Sequence, residues 1–293
     1  MEKYIVALGF FDGVHRGHQA LLTQCRQAAE LHHVHPAAIT FDAHPQSLFV
    51  KDPPGLLTTP RDRQLLLEQY GVEKIFPLRV NEETMHMAWD VFLKRLTEQG
   101  AVGFVCGNDF RFGWAGAGDA SRLSEYCRAE GLFCRVVPEQ TLDGVRISST
   151  YIRSCLETGD MDSAVRFLGH PYLLTGPVVS GRHIGRTIGI PTANLALPPE
   201  LVSPRFGVYA CRARVNGERY CAVTNVGTRP TVDGHKVTVE PWILDFHGDL
   251  YGQSITLEFY SFLRPERKFS SLETLREEIQ RNAEEVRNFF QSR

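Results

Sequence analysis

The 293-residue chain has no apolar run approaching the roughly 18–20 residues of a membrane span, so no transmembrane helix is expected. Neither charge sign dominates: 32 Lys and Arg stand against 34 Asp and Glu, a formal charge of −2. That balance gives no electrostatic reason to expect a nucleic-acid or anionic-membrane binder. Seven cysteines are scattered singly, with no Cys-x-x-Cys pair, which argues against a structural zinc site and a disulfide framework. They read instead as small buried hydrophobes of a protein in a reducing cytoplasm. Also missing are Gly-x-x-x-x-Gly-Lys-Ser/Thr and a complete Gly-x-Gly-x-x-Gly, which disfavours a phosphate-loop ATPase and a dinucleotide dehydrogenase. No internal repeat or low-complexity segment stands out. The start, MEKYIVALGFFDG, carries an acidic residue at position 2 and does not read as a signal peptide.

What is present suits a soluble two-domain protein, with 43% hydrophobic and 23% charged residues. Up to about residue 158, short β-type runs alternate with helical patterns. The strands are expected at 4–9, 37–41, 73–78, 101–107 and 132–138, with helices near 17–32, 61–70, 84–99 and 121–130. Nearly continuous apolar strands in that alternation imply a parallel sheet with helices on both faces, and ligands at the carboxyl ends of its strands. Two short helices follow, and a domain boundary is placed near 168, giving 1–168 and 169–293. Beyond it the pattern is strand-rich. Asn216-Gly217 between two alternating runs signals a hairpin, and 237–263 reads as another around His247-Gly248-Asp249. With a final helix near 271–290, this half is expected to be a small antiparallel barrel.

The stretch GFFDGVHRGH (9–18) sits at the joint of the first strand and helix. His15 and His18 are three residues apart at a helix start, where unpaired N–H groups and the helix dipole suit a phosphate. Gly13 and Gly17 allow a tight turn and a close ligand approach, and imidazoles there can donate to phosphate oxygens. A zinc reading lacks a third and fourth ligand at fixed spacing. An ordinary turn with incidental histidines is the other alternative. TFDAHP (40–45) brings His44 to a strand end, and GNDFRFGWAGAGD (107–119) is a glycine-rich loop with Asp109 and Arg111. ISSTYIR (147–153) puts Ser149 and Thr150 at a helix start, with Arg153 one turn on. It serves as a plain N-cap or as an anion site.

In the second half, GRHIGRTIGIPTANL (181–195) places Thr192 and Asn194 two apart on an expected strand, where neutral oxygens can help hold Mg²⁺ carried by ATP. Asn225, Arg229 and Glu240 follow. Glu240, in an apolar strand, either pairs with a basic partner or acts as a general base towards a hydroxyl.

Assembled in this order, the motifs resemble the bifunctional riboflavin kinase/FAD synthetase family of bacteria over nearly the whole chain. GFFDGVHRGHQALL, TFDAHP, GNDFRFG and ISSTYIR are similar to the FMN adenylyltransferase module, whose superfamily is marked by His-x-Gly-His. GRTIGIPTANL, GVYA, TNVGTRPTV, LDFHGDLYG and FLRPERKF are similar to the flavokinase module. The resemblance implies a Rossmann-like nucleotidylyltransferase domain followed by a flavokinase barrel. The barrel would phosphorylate riboflavin to FMN, with Glu240 as base and Thr192 and Asn194 positioning Mg-ATP. The first domain would join FMN to the adenylyl group of ATP, releasing pyrophosphate and FAD. There His15 and His18 would stabilise the transferring phosphate, with Asp109, Ser149, Thr150 and Arg153 holding phosphates and Mg²⁺. By the same resemblance Gly9, Phe11, Asp12, Gly17, His44 and Gly185 contact nucleotide or phosphate, and Phe112, Asn225 and Arg229 contact flavin. The partners implied are small molecules only, with no nucleic acid, membrane or obligate protein partner.

The chain departs from the family in reading Glu240-Pro241-Trp242-Ile243 where Glu-x-His-Ile/Leu is usual. A proline there removes a strand donor, and the histidine side chain is lost. A transferase active only in the FAD-forming step, a nucleotidyltransferase for another phosphorylated acceptor, and a flavin-binding regulatory protein are the competing readings.

Overall fold

A computed structural model describes residues 2–179, 189–231 and 234–292, and the side chains of these except 229–231 and 234–236. The chain divides into two compact units, Met1–Ser149 and Thr150–Arg293. This division falls two helices before the boundary expected near residue 168.

The first unit opens with β1 (Tyr4–Leu8), every residue of which is buried, then α1 (Arg16–Leu31) and β2 (His35–Phe41). Next come α2 (Pro60–Gln69), β3 (Lys74–Leu78), α3 (Glu82–Met85) and α4 (Trp89–Glu98). β4 (Ala101–Gly107), α5 (Ala120–Ala129), β5 (Phe133–Val137) and the short pair β6 (Thr141–Leu142) and β7 (Val145–Arg146) complete it. The five long strands form one parallel sheet in the order β3-β2-β1-β4-β5, as the apolar runs imply.

Alternation sorts the side chains of β1. Tyr4, Val6 and Leu8 pack with Phe92, Leu93 and Leu96 of α4 and Leu123 and Cys127 of α5. Ile5 and Ala7, equally buried, face the other way, where α1 lies against β1, β2 and β4. The strand order reverses between β1 and β4, the position at which open α/β sheets leave a crevice for ligands.

The helix expected over 84–99 is two helices. Asn81 caps α3, the chain breaks at 86–88, and the Met87 carbonyl accepts the Trp114 N–H at 2.7 Å. A continuous helix would have committed that carbonyl to its own ladder.

In the second unit α6 (Ser149–Thr158, its first residue counted with the first unit) and α7 (Met161–Leu168) lead into the strands. These are β8 (Tyr172–Pro177), β9 (Leu195–Ala196), β10 (Gly207–Val215), β11 (Glu218–Thr231), β12 (Gly234–Ile243) and β13 (Ser254–Pro265). They pair in the order β8-β13-β10-β11-β12-β9. The Val179 N–H donates to the Asn194 carbonyl at 2.8 Å, drawing the two edge strands together and nearly closing the barrel. β10 and β11 form the expected two-residue hairpin, Asn216 and Gly217 both having positive φ (50° and 87°).

The second expected hairpin is absent: β12 pairs with β11 and β9, and β13 with β10 and β8. Alternation marks both as strands but does not choose their neighbours, and β10 and β11 lie between them. The closing helix α8 (Leu272–Gln291) begins with a Ser271/Thr274 capping box and buries Ala283 and Val286 against Val208, Ala210 and Val223.

Candidate functional site

The loop from β1 to α1 is strained and tightly anchored. Phe11 and Val14 have φ of 58° and 39°, conformations rare outside glycine, and Gly13 has φ 81°. Asp12, 1% exposed, turns inward: its Oδ1 accepts the N–H groups of Leu57 at 2.9 Å and Thr58 at 3.2 Å. The Gly13 N–H donates to Thr58 Oγ1 at 3.2 Å. Asp12 is thus a loop anchor in this structure, and Phe11 beside it is wholly buried.

His15 is the N-cap of α1, its Nδ1 accepting the His18 N–H at 3.3 Å. The two imidazoles stack with centroids 3.6 Å apart and 12° between planes, and the Phe11 ring meets His18 edge-on at 5.2 Å. A side chain at Gly17 would lie 3.2 Å from the His15 ring, so glycine makes room for this packing. Burial, then the neighbouring His15 and Arg63, pushes the His18 pKa well below 6.5, leaving a neutral ring at pH 7. Among the described residues His18 Nδ1 is buried without a hydrogen-bond partner. A neutral imidazole with an uncommitted nitrogen can serve an incoming phosphate.

His44 ends the loop after β2. Its Nδ1 accepts the Gln46 N–H at 3.1 Å and its ring meets Phe10 edge-on at 5.4 Å. Ser149 Oγ donates to the Asp12 carbonyl at 3.0 Å, both residues belonging to the first unit. Thr150, exposed, and Arg153 follow on the first turn of α6 and belong to the second unit. Asp109 is exposed and ion-paired to Arg146, whose Nε also meets Glu139 at 2.8 Å. Arg146 and Arg63 were not singled out from sequence. Arg146 lies in a two-residue strand, one residue before ISSTYIR, and Arg63 lies in a helix that no motif marks.

Beside the loop lies a cavity of about 640 Å³ whose wall includes Gly9, Phe10, Phe41, Phe49, Phe112 and Trp114. Phe110 and Phe112 stack at 5.7 Å with 14° between planes, and Phe112 is 7% exposed. This aromatic lining and size suit a planar, largely apolar ligand.

In the second unit, Glu240 of β12 faces Asn225 of β11 in register, and Thr238 Oγ1 donates to Glu240 Oε1 at 3.2 Å. Glu240 and Trp242, two apart and on one face, line a cavity of about 390 Å³ together with Asn225, Thr192, Arg264 and Phe269. Thr192 also lines a smaller cavity of about 90 Å³ with Val178, Asp249 and Tyr251, so it stands between the two. Asn194 is buried, and Asn225 Nδ2 donates to Glu266 Oε1 at 3.4 Å. The strand expected around Thr192 and Asn194 covers only Leu195–Ala196.

The missing donor of Pro241 is accommodated. Its carbonyl accepts the Ala193 N–H at 2.9 Å, and in a strand the nitrogen of the same residue faces that side. The β11–β12 ladder therefore loses no bond to the proline. Gly185 and the Arg229 side chain lie outside the described residues. Among the described residues no three His, Cys, Asp or Glu side chains are grouped to hold a metal ion, and no helix is long and apolar enough to cross a membrane.

Comparison with known proteins matches both units. The FAD synthetase family model covers residues 1–151, and the riboflavin kinase family model covers residues 168–290. The bifunctional riboflavin kinase/FMN adenylyltransferase of Listeria monocytogenes is 35% identical over 98% of this chain and 92% of its own length. That of Escherichia coli is 36% identical, covering 99% and 93%. A crystal structure described as a macrolide-efflux protein from Streptococcus pneumoniae superposes with a TM-score of 0.88 at 30% identity, covering 98% of this chain and 94% of that one. With two family matches in series, and relatives alike over almost their full length, the chain belongs to the bifunctional riboflavin kinase/FMN adenylyltransferase family.

Proposed function

We propose that this chain makes FAD from riboflavin in two ATP-dependent steps, with residues 169–293 forming FMN and residues 1–168 forming FAD. The observation that carries this reading is a pair of apolar cavities, each walled in part by groups suited to phosphate chemistry. In the first unit these are the backbone at Gly9, where the histidine loop begins, and Arg111, and in the second they are Glu240 and Thr192.

In the kinase step Glu240 accepts the proton of the riboflavin 5′-hydroxyl as its oxygen attacks the γ-phosphorus of ATP, and ADP leaves. Asn225 and Trp242 wall the flavin side of this cavity, with Trp242 filling the place of the usual histidine. The position of Thr192 between the larger and smaller cavities supports its role at the junction of flavin and nucleotide. The competing reading of an impaired kinase loses its ground where the ladder around Pro241 is intact.

In the second step an FMN phosphate oxygen attacks the α-phosphorus of ATP and pyrophosphate leaves. His15 and His18 donate hydrogen bonds to the transferring group, and the backbone N–H groups at the start of α1 face the same charge. Asp109 holds the outer phosphates, and His44 and Gly17 border the nucleotide. The aromatic cavity, with Phe112 in its wall, takes the isoalloxazine. Thr192 and Asn194 offer neutral oxygens, which fit Mg²⁺ whose charge ATP already balances in part. That ion supplies charge neutralisation at the phosphates. Seven free cysteines and soluble small-molecule substrates support a cytoplasmic location.

The test is incubation of the purified chain with riboflavin, ATP and Mg²⁺, following flavins by chromatography. FMN should appear first and FAD after it. FAD from added FMN without any FMN from riboflavin would remove the kinase assignment, and failure of both steps would remove the whole reading.

A further inference from the structure

Arg63, on the first turn of α2, is 0% exposed, the largest wholly buried side chain among the described residues. A buried guanidinium is costly unless its hydrogen bonds are met. Among the described residues no carboxylate hydrogen-bonds to this charge. One terminal nitrogen donates to the Phe10 carbonyl at 3.3 Å and the other to the Phe41 carbonyl at 2.8 Å. The group also lies over the Phe10 ring, 4.6 Å from its centroid, and its Nε meets no acceptor among the described residues. Burial lowers its pKa to about 10, opposed by Asp12 and Asp42, so it remains charged at pH 7.

The two carbonyls lie just beyond β1 and at the end of β2. Phe10 is the residue before the strained Phe11–Val14 turn, and its carbonyl accepts a second bond, from Thr40 Oγ1 at 3.0 Å. Leu57 and Thr58, from the segment leading into α2, hold Asp12 and Gly13. Residues 57–63 thus clamp the loop at three positions after β1, Phe10, Asp12 and Gly13. Strained backbone of this kind persists only where its surroundings over-determine it. The charge of Arg63 also disfavours protonation of His18.

We propose that Arg63 is a positioning residue for FAD formation: its buried guanidinium joins the ends of β1 and β2 and fixes the loop that presents His15 and His18 to the nucleotide phosphates. The inference rests on the assignment of FAD formation to that loop. Arg63 is sealed from solvent and acts through the two carbonyls. Misplacing the histidines by a fraction of an ångström lowers turnover, while the binding of FMN in its cavity is little changed.

The test uses the full chain carrying Arg63→Met or Arg63→Lys, with thermal melting to establish folding and the riboflavin-to-FMN rate as an internal control. For Arg63→Met the expected result is a fall in kcat for FAD formation of about 30-fold or more. KM for FMN and ATP should stay within about threefold, and the kinase rate should not change. Arg63→Lys keeps the charge and one donor, and should recover part of the lost kcat without reaching the wild-type value. A folded Arg63→Met protein with wild-type kcat, or one altered only in KM, would overturn the proposal. Unfolding of both variants would also overturn it, by making Arg63 a requirement of folding alone. Retained FAD formation in His18→Ala would instead sink the assignment of the loop, so the two failures are distinct.

Discussion

Replacing His18 by alanine tests the division of labour directly. Its ring stacks on His15 at 3.6 Å, and its Nδ1 is buried with no partner among the described residues. Because burial holds the ring neutral, the proposed role is a hydrogen bond to the transferring phosphate and no full charge. A preorganised donor aimed at developing charge is worth about 10²–10³ in kcat, or about 2.7–4 kcal/mol. His18→Ala should therefore lower FAD formation from FMN by about that factor. FMN formation should be spared, because Glu240 and its cavity lie in the other compact unit. The assay gives the purified full chain FMN and ATP, follows FAD by chromatography, and repeats the run from riboflavin while counting total FMN plus FAD. Thermal melting checks that loss of the stacked ring has not unfolded the first unit. FAD formation within about threefold of wild type, or an equal fall in both steps with folding intact, would refute the reasoning.

Glu240→Gln should do the reverse, lowering FMN formation by about 10²–10⁴ while FAD forms normally from added FMN. Gly113→Ala should destabilise the Trp114 loop by about 1–3 kcal/mol. Gly113 has φ 72°, and an added Cβ would lie 2.6 Å from Trp89 Cα. A melting curve and a raised KM for FMN in the adenylyl step would report that change, and an unchanged KM would argue against the cavity as the flavin site. Removal of Mg²⁺ with EDTA should stop both reactions and leave the melting temperature unchanged, and a fall in that temperature would reveal protein-held metal. The depressed pKa of His18 fixes the sign of one pH effect. Below about pH 6.5 the unfolded chain binds a proton that the folded ring refuses, so stability falls with pH by up to about 1.4 kcal/mol per unit. Wild type should therefore lose more stability than His18→Gln between pH 7.5 and 5.5, and parallel losses would contradict it.

The joint at 9–18 was legible because strand, tight turn and helix start follow from local residue types. The Asn216-Gly217 hairpin was legible for the same reason: both positions need positive φ. Glu240 and Trp242 facing one cavity follows from strand alternation alone. The inward turn of Asp12 was not legible, because its partners Leu57 and Thr58 are more than forty residues away. Nor was the break at 86–88, which exists for a hydrogen bond from Trp114.

By itself the sequence determined most of the strands and helices and the order of two unlike units. Each of these depends on residues near in the chain. Only the tertiary structure decided that β12 and β13 are strangers across the barrel, that Pro241 turns its missing donor away from the β11 ladder, and that Arg63 lies inside. Pairing and burial depend on which distant carbonyl or ring is brought alongside. A periodic pattern records that a residue faces a partner, and packing alone chooses the partner.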